Sequence, residues 1–225
     1  MRNYENEFES EKGAGKKKKK NMWRIKQIFD GDYGCEEMTN GRAKVSVTLV
    51  DEQGEESFLT VEDAWLLKKG LDEGDCWPYK FFGAEKASIW GDNKEFPGIH
   101  TPYDLYDALS KIWCEKTCAP RLRESWTKEN MTMGQCSITA FLTQDVFGGK
   151  VYGMLRSGGN YHCFNVVGNC KFDLTSEQFG DETLDYENVV EQSREVHLKA
   201  EKLERYEYLK ACLKEMCLEM NKKQE

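Results

Sequence analysis

Met133-Gly-Gln-Cys136-Ser-Ile-Thr-Ala-Phe-Leu-Thr-Gln-Asp-Val-Phe147-Gly148 is the stretch on which the fold turns. Ile138, Phe141, Leu142, Val146 and Phe147 recur at spacings near three and four, which predicts an amphipathic helix of about three turns. Gly148 is placed to close it as a C-terminal cap. Cys136 then falls at the first helical residue. Unpaired backbone N–H groups and the positive end of the helix dipole favour a thiolate there. The same N–H groups are placed to stabilise an oxyanion beside the sulfur, and Gly134 allows the chain to turn tightly into the helix.

A nucleophilic thiol needs a base, and the chain offers His100, His162 and His197. His162 lies in Asn160-Tyr-His-Cys-Phe-Asn-Val-Val167, an alternating strand with His162, Phe164 and Val166 on one face. Gly168-Asn169 is a two-residue hairpin signal, and Cys170-Lys-Phe-Asp-Leu-Thr175 returns. In that register Val167 opposes Cys170 and His162 opposes Thr175, so Asp173 is a diagonal neighbour of His162 on the same face. Such neighbours lie about 7–8 Å apart, within reach of long side chains. Cys163 points to the opposite face, which makes it a poor nucleophile. Cys170 would compete with Cys136 only if the helix were absent. His197 reads as solvated surface on a C-terminal helix, and His100 has no assigned partner.

Cys136, His162 and Asp173, in that order, are a thiol, an imidazole and a carboxylate suited to acyl transfer. Gly134-Gln-Cys136, the His162 strand with Gly168, and Asp173-Leu-Thr175 resemble the core of the transglutaminase-like and papain-like cysteine enzymes, and Gly-Gln-Cys is also the nucleophile motif of transglutaminases proper. Over about residues 101–215 the chain is more closely similar to the YunG-like family of bacterial proteins. The shared pattern adds Gln144-Asp145, Gly148-Gly149, Phe179 and an Arg205-Tyr206-Glu207 helix. The resemblance implies an α+β, papain/transglutaminase-like core, with N-terminal helices and a nucleophile-bearing helix packed on an antiparallel sheet. It implies the triad and names no substrate. Ser137 stands where transglutaminases carry an aromatic, and the Cys136-to-His162 interval of 26 residues is shorter than theirs. Both departures favour a smaller hydrolase, or an inactive relative, over protein cross-linking.

The expected chemistry is hydrolysis or transfer of an acyl group from an amide or thioester. Cys136 attacks, His162 moves the proton and Asp173 orients His162. The Cys136 N–H and the Gln135 side chain are candidate oxyanion donors. The alternative is a binding or regulatory module that keeps the fold without turnover. The expected ligand is a peptide or small-molecule acyl substrate, with no cofactor or metal, and no basic pocket is visible along the chain.

Outward from this core, Thr101-Pro102 opens a helix with Leu105, Ala108, Leu109, Ile112 and Trp113 on one face, ended by Pro120. Residues 79–100 read as a connector packed through Phe81, Phe82 and Trp90. Residues 22–78 read as a small β/α module. It has strands at 22–29, 44–49 and 58–61, with Val45, Val47 and Leu49 on one face, and a helix at 62–69 capped by Gly70. An acidic turn at 30–37 contains Asp30-x-Asp32, but Gly34 and Cys35 break the calcium-loop pattern. Residues 187–220 read as one long helix whose stripe Leu203, Tyr206, Leu209, Leu213, Met216 and Met220 packs on the sheet. The C-terminal domain is thus expected to span 101–225.

Residues 1–21 are polar and end near Lys16 to Lys20, with seven cations against four carboxylates. Such a run repels itself and reads as a disordered tail. The chain of 225 residues carries 32 Lys+Arg against 40 Asp+Glu, a net charge of −8, so the other 204 residues carry −11. That balance argues against general nucleic-acid binding. No apolar run is long enough for a membrane span, and the N-terminus lacks the apolar core of a secretory signal, so a cytoplasmic location is expected. Nine cysteines, an odd number, read as reduced thiols. The tightest pair, Cys114-x3-Cys118, is expected within a helix and is unlike a zinc ribbon.

Overall fold

The alternation of Val45, Val47 and Leu49 builds the first sheet in this computed structural model, which describes residues 22–29 and 43–222. The tail at 1–21 and the acidic turn at 30–37 lie outside the described residues. Strands β1 (Arg24–Phe29), β2 (Lys44–Val50) and β3 (Glu56–Glu62) pair antiparallel in that order. Val45 opposes Val61 and Val47 opposes Leu59, so one face of the sheet is a continuous apolar surface. Asp51 shapes the β2–β3 turn, its Oδ1 accepting from the N–H groups of Gln53 and Glu55 at 2.9 Å each. Helix α1 (Asp63–Lys69) follows directly and ends on Gly70 in the left-handed conformation.

Residues 79–100 contribute far more to packing than a linker does. Tyr79, Phe81, Ala84, Ala87, Phe96 and Ile99 are all buried, while Phe82 and Trp90 are half-buried. Tyr79 and Tyr103 sit 4.7 Å apart between ring centroids, and Trp65 lies 5.3 Å from Tyr103. Trp65 Nε1 donates to Asp104 at 2.9 Å, and Lys69 pairs with Asp107 at 2.5 Å, tying α1 to α2. One apolar core therefore runs from the first sheet through this segment and into the C-terminal half.

Helix α2 (Pro102–Ile112) opens with a capping box between Thr101 and Asp104 and a proline in the first turn. The helix stops at Ile112. Cys114-x3-Cys118 therefore forms a turn after α2 and is not helical, contrary to the sequence expectation, and Pro120 starts a 3-10 segment, Pro120–Ser125. Helix α3 (Cys136–Phe147) is buried without a break from Ile138 to Thr143. It is covered on one side by the second sheet and on another by the C-terminal helix, so burial extends beyond a single stripe.

The second sheet orders β6-β5-β4-β7, all antiparallel, from β4 (Lys150–Leu155), β5 (Tyr161–Val167), β6 (Cys170–Phe172) and β7 (Val190–Glu191). Gly149 joins α3 to β4, where a Cβ would stand 2.3 Å from the Val166 carbonyl oxygen; only glycine fits. Together the elements form a mixed α+β fold on antiparallel sheets. No helix among the described residues is long and apolar enough to cross a membrane.

The C-terminal region differs from the single helix expected at 187–220. Residues 190–191 instead pair with β4, and a short α4 (Arg194–His197) precedes α5 (Ala200–Lys222). The physical reason is the open edge of β4, whose backbone groups need a partner, and the β-branched pair Val189-Val190 suits a strand. The stripe on α5 packs on α3 and α2, with Tyr206, Leu209, Leu213 and Cys217 buried and Leu203 left 40% exposed.

Candidate functional site

Cys136 is the first residue of α3, and Gln135 before it makes no side-chain cap. The first helical hydrogen bond runs from Thr139 N–H to Gln135 O at 3.1 Å, so the N–H groups of residues 136 to 138 have no intrahelical acceptor. Gly134 fixes the approach, with φ +70° and a missing Cβ that would lie 2.6 Å from Cys118 Sγ. Its N–H donates to Gln178 Oε1 at 3.3 Å, and its carbonyl accepts from Ala119 N–H at 3.0 Å.

The hairpin adopts the register expected from Gly168-Asn169. Val167 opposes Cys170, Val166 opposes Lys171 and Asn165 opposes Phe172. Beyond Phe172 the partner of Asp173 is Phe82, through an antiparallel bridge whose Asp173 N–H bonds Phe82 O at 3.0 Å. His162 Nε2 donates to Asp173 Oδ2 at 2.5 Å, with the two side chains 2% and 1% exposed. Asp173 is fully satisfied. Oδ2 also accepts from Tyr186 Oη at 2.9 Å, and Oδ1 accepts from the Thr175 N–H and hydroxyl at 3.0 Å each. Phe179 stands edge-on to the His162 ring at 4.7 Å.

The second imidazole nitrogen, Nδ1, is buried and has no partner with hydrogen-bond geometry. Cys136 is the thiol whose charge acts on this ring. Burial pushes the Cys136 thiol up, but the charge and side-chain interaction of His162, helped by the Cys163 backbone N–H, outweigh it and bring the thiol down to about 7. Burial likewise disfavours a charged His162, yet the Asp173 carboxylate and the Cys136 thiolate hold it up to about 10. Burial would raise Asp173, and the His162 charge, with hydrogen bonds from His162, Thr175 and Tyr186, keeps it below the ordinary carboxylate range. Near neutral pH the thiol is therefore close to its midpoint, His162 favours its ionised form, and Asp173 stays a carboxylate.

A cleft of about 710 Å³ opens onto Cys136 and His162. Cys136 is half-buried and lines this cleft. Cys163 is buried beside Ser137 Oγ at 3.6 Å, and burial pushes its thiol up to about 12. Cys170 does not line the cleft, and burial raises its thiol too.

Three assignments differ from the sequence reading. Gln135 is fully buried outside the cleft lining, and its Nε2 donates to Cys114 O at 3.2 Å, so its side-chain donor is committed away from any oxyanion. His197 is in α4 and lines the cleft, edge-on to Tyr161 at 6.1 Å; it is not a solvated residue of a long helix. A basic lining, invisible along the chain, is assembled from Arg121, Arg156, Lys202 and Arg205. Tyr186 and Gln178 were not anticipated either. An acidic, aromatic-bearing loop so close to Asp173 in sequence is the available signal for Tyr186. His100 stacks on Trp90 at 4.6 Å, and its Nδ1 donates to Gly91 O at 2.9 Å, away from the site.

What fold and site define is an α+β protein whose central helix presents a lowered thiol to a histidine–aspartate pair inside an open cleft. The family described as YunG protein matches residues 101–217, and the chain belongs to that family. The uncharacterized protein YunG of Bacillus subtilis (strain 168) is 33% identical over 85 residues, 38% of this chain and 71% of that protein. No solved structure matches the chain. The matched region contains α2, α3, the second sheet and most of α5, and hence Cys136, His162 and Asp173.

Proposed function

We propose that the protein is a thiol enzyme with a papain/transglutaminase-like core, hydrolysing or transferring the acyl group of an amide or thioester. The observation that carries this reading is the 2.5 Å His162–Asp173 bond, with the other imidazole nitrogen unpartnered and a lowered thiol in the cleft lining acting on the same ring.

The Cys136 thiolate attacks the carbonyl carbon, and its sulfur forms the new bond. The oxygen that gains charge is received by uncapped N–H groups in the first turn of α3, in place of the Gln135 side chain. When the intermediate collapses, the bond to the leaving group breaks and His162 Nδ1 gives that group its proton. Water or an amine then attacks the thioester, gives its proton to the same nitrogen and releases Cys136. Asp173 remains ionised throughout and holds the ring through Nε2.

The test is iodoacetamide alkylation of Cys136 against pH, read by mass spectrometry of the modified peptide. A thiolate is the reacting form, so a thiol lowered to about 7 gains reactivity as pH rises through 7 and loses it below. His162→Ala moves the midpoint up into the ordinary range near ~8.5 and slows the reaction at pH 7 by about tenfold or more. Acyl transfer also needs protonated His162, so turnover declines again as pH passes about 10. A native midpoint already in the ordinary thiol range, or a profile that His162→Ala leaves in place, refutes the reading.

A further inference from the structure

We infer that the acyl donor is an anion, carrying a carboxylate that Arg121 and Lys202 hold inside the Cys136 cleft. This names a substrate class for the thiol-enzyme reading above and rests on it.

Four cations line the cleft, Arg121, Arg156, Lys202 and Arg205, against a single carboxylate, Glu201. The ratio runs against the whole chain, in which 40 acidic residues outnumber 32 basic ones. Two of the cations have internal duties. Arg156 pairs with Glu182 at 2.6 Å and lies over the Phe179 ring at 4.8 Å. Arg205 engages Glu201 and donates to Thr117 O at 2.9 Å, so the only acidic group of the lining is already neutralised.

Arg121 and Lys202 are different: neither side chain has a hydrogen bond or an ion pair among the described residues, although both line the cleft. They come from separate elements, Arg121 from the 3-10 segment after α2 and Lys202 from the first turn of α5. Lys202 acts on the interior, since its charge helps to depress both Cys163 and His197. His197, also in the lining, is kept below its ordinary value by burial and by Lys202 and Lys199. Unpaired cations from two elements that line one cleft form a receptor for a negative group, and low-dielectric walls concentrate their field. A peptide or amino-acid thioester supplies that group as a carboxylate, which an arginine fork and an ammonium both bind.

The experiment compares two alkylating probes on Cys136 of the full chain, anionic iodoacetate and neutral iodoacetamide, by peptide mass spectrometry at pH 7.5. The same thiolate attacks both and displaces iodide, so any change in its pKa cancels in the ratio of the two rates. The iodoacetate-to-iodoacetamide ratio at Cys136 is expected to exceed that of β-mercaptoethanol by about tenfold. In the double variant Arg121→Gln, Lys202→Gln it falls to the β-mercaptoethanol value, and in Arg121→Lys, Lys202→Arg it returns, because charge matters here more than shape. A native ratio at or below that of β-mercaptoethanol overturns the inference, and this arm needs no variant to fold. A ratio that the double glutamine variant leaves unchanged overturns it as well. The absolute iodoacetamide rate reports on thiol activation separately, so failure of the enzyme reading and failure of the anion reading are told apart.

Discussion

Between the two sheets the difference lies in what each turns inward. The β1-β2-β3 sheet buries Val45, Val47, Leu49, Leu59 and Val61, an aliphatic surface with nothing to hydrogen-bond. The β6-β5-β4-β7 sheet buries His162 and Asn165, with Asp173 just past the end of β6. An apolar interior stabilises through area removed from water. A polar interior is stable only when its donors and acceptors are matched, because an unpaired buried group costs more than a paired one returns. The second sheet meets that condition almost everywhere. Asn165 Nδ2 donates to Ala140 O at 2.8 Å, and Asp173 takes four donors. The unmatched atom is His162 Nδ1, on the ring that acts on the thiol. The first sheet and its aromatic neighbours supply rigidity, and the second holds the polar groups of the candidate site.

Removing the central carboxylate breaks this contrast most sharply. Asp173→Asn leaves the His162 charge without its counter-ion, and one amide face meets two donors it cannot accept from. The expected loss is about 3–5 kcal/mol, the usual result of removing one partner of a buried pair. It is read by chemical denaturation, together with a rise of the Cys136 alkylation midpoint. The pH sign follows from the shifts. His162 is raised from 6.5 to about 10, so its contribution is complete below 6.5 and lost as pH rises through 10. Asp173 is lowered from 3.8, so its contribution is present above 3.8 and lost as pH falls through the folded value. The difference between native chain and variant is therefore greatest between about pH 4 and 6.5 and shrinks on both sides. A difference that stays constant from pH 4 to 11 contradicts the pairing.

Leu49→Ala is the matching change in the first sheet. Leu49 is fully buried, and its truncation costs about 3 kcal/mol through lost transfer energy and the cavity left behind. Stability falls on denaturation while the pH midpoint of Cys136 alkylation stays in place. A shifted midpoint shows that the first sheet positions the thiol, and the division of labour between the sheets then fails.

Much of the second sheet was legible along the chain because its signals are local. The Gly168-Asn169 turn set the register, and the register placed Asp173 beside His162. The spacing of Ile138, Phe141 and Leu142 put Cys136 at a helix start, although the burial of Thr139 and Thr143 around the same helix required knowledge of what covers it. The basic lining stayed hidden because its four cations are up to 84 residues apart and meet only when α5 folds back on α3. The placement of Gln135 has a similar origin: sequence puts its amide next to the sulfur, while packing sends Nε2 to the Cys114 carbonyl. The break before α5 was masked by helical periodicity, which carries no information about the unpaired edge of β4.

Two tyrosines offer the finest comparison between the regions. Tyr186 Oη donates to the Asp173 carboxylate at 2.9 Å, and its ring stacks on Phe82 with centroids 3.7 Å apart. Tyr103 Oη donates to the neutral Ala84 carbonyl at 2.8 Å, inside the aromatic cluster against the first sheet. Phenylalanine keeps each ring in place and removes only the hydroxyl. A bond to a charged acceptor contributes about 1.5–3 kcal/mol and one to a neutral acceptor about half as much. After Tyr103→Phe the Ala84 oxygen still accepts from Trp77 Nε1 at 3.1 Å, which limits the loss further, to about 1 kcal/mol. Tyr186→Phe is thus expected to cost about 2 kcal/mol, and it alone moves the Cys136 profile, because only its hydroxyl shares an oxygen with His162. Denaturant midpoints of the two variants at unchanged slope measure the difference. Equal losses, with neither variant touching the thiol, mean that Asp173 does not carry its charge, and the imidazolium has no anchor.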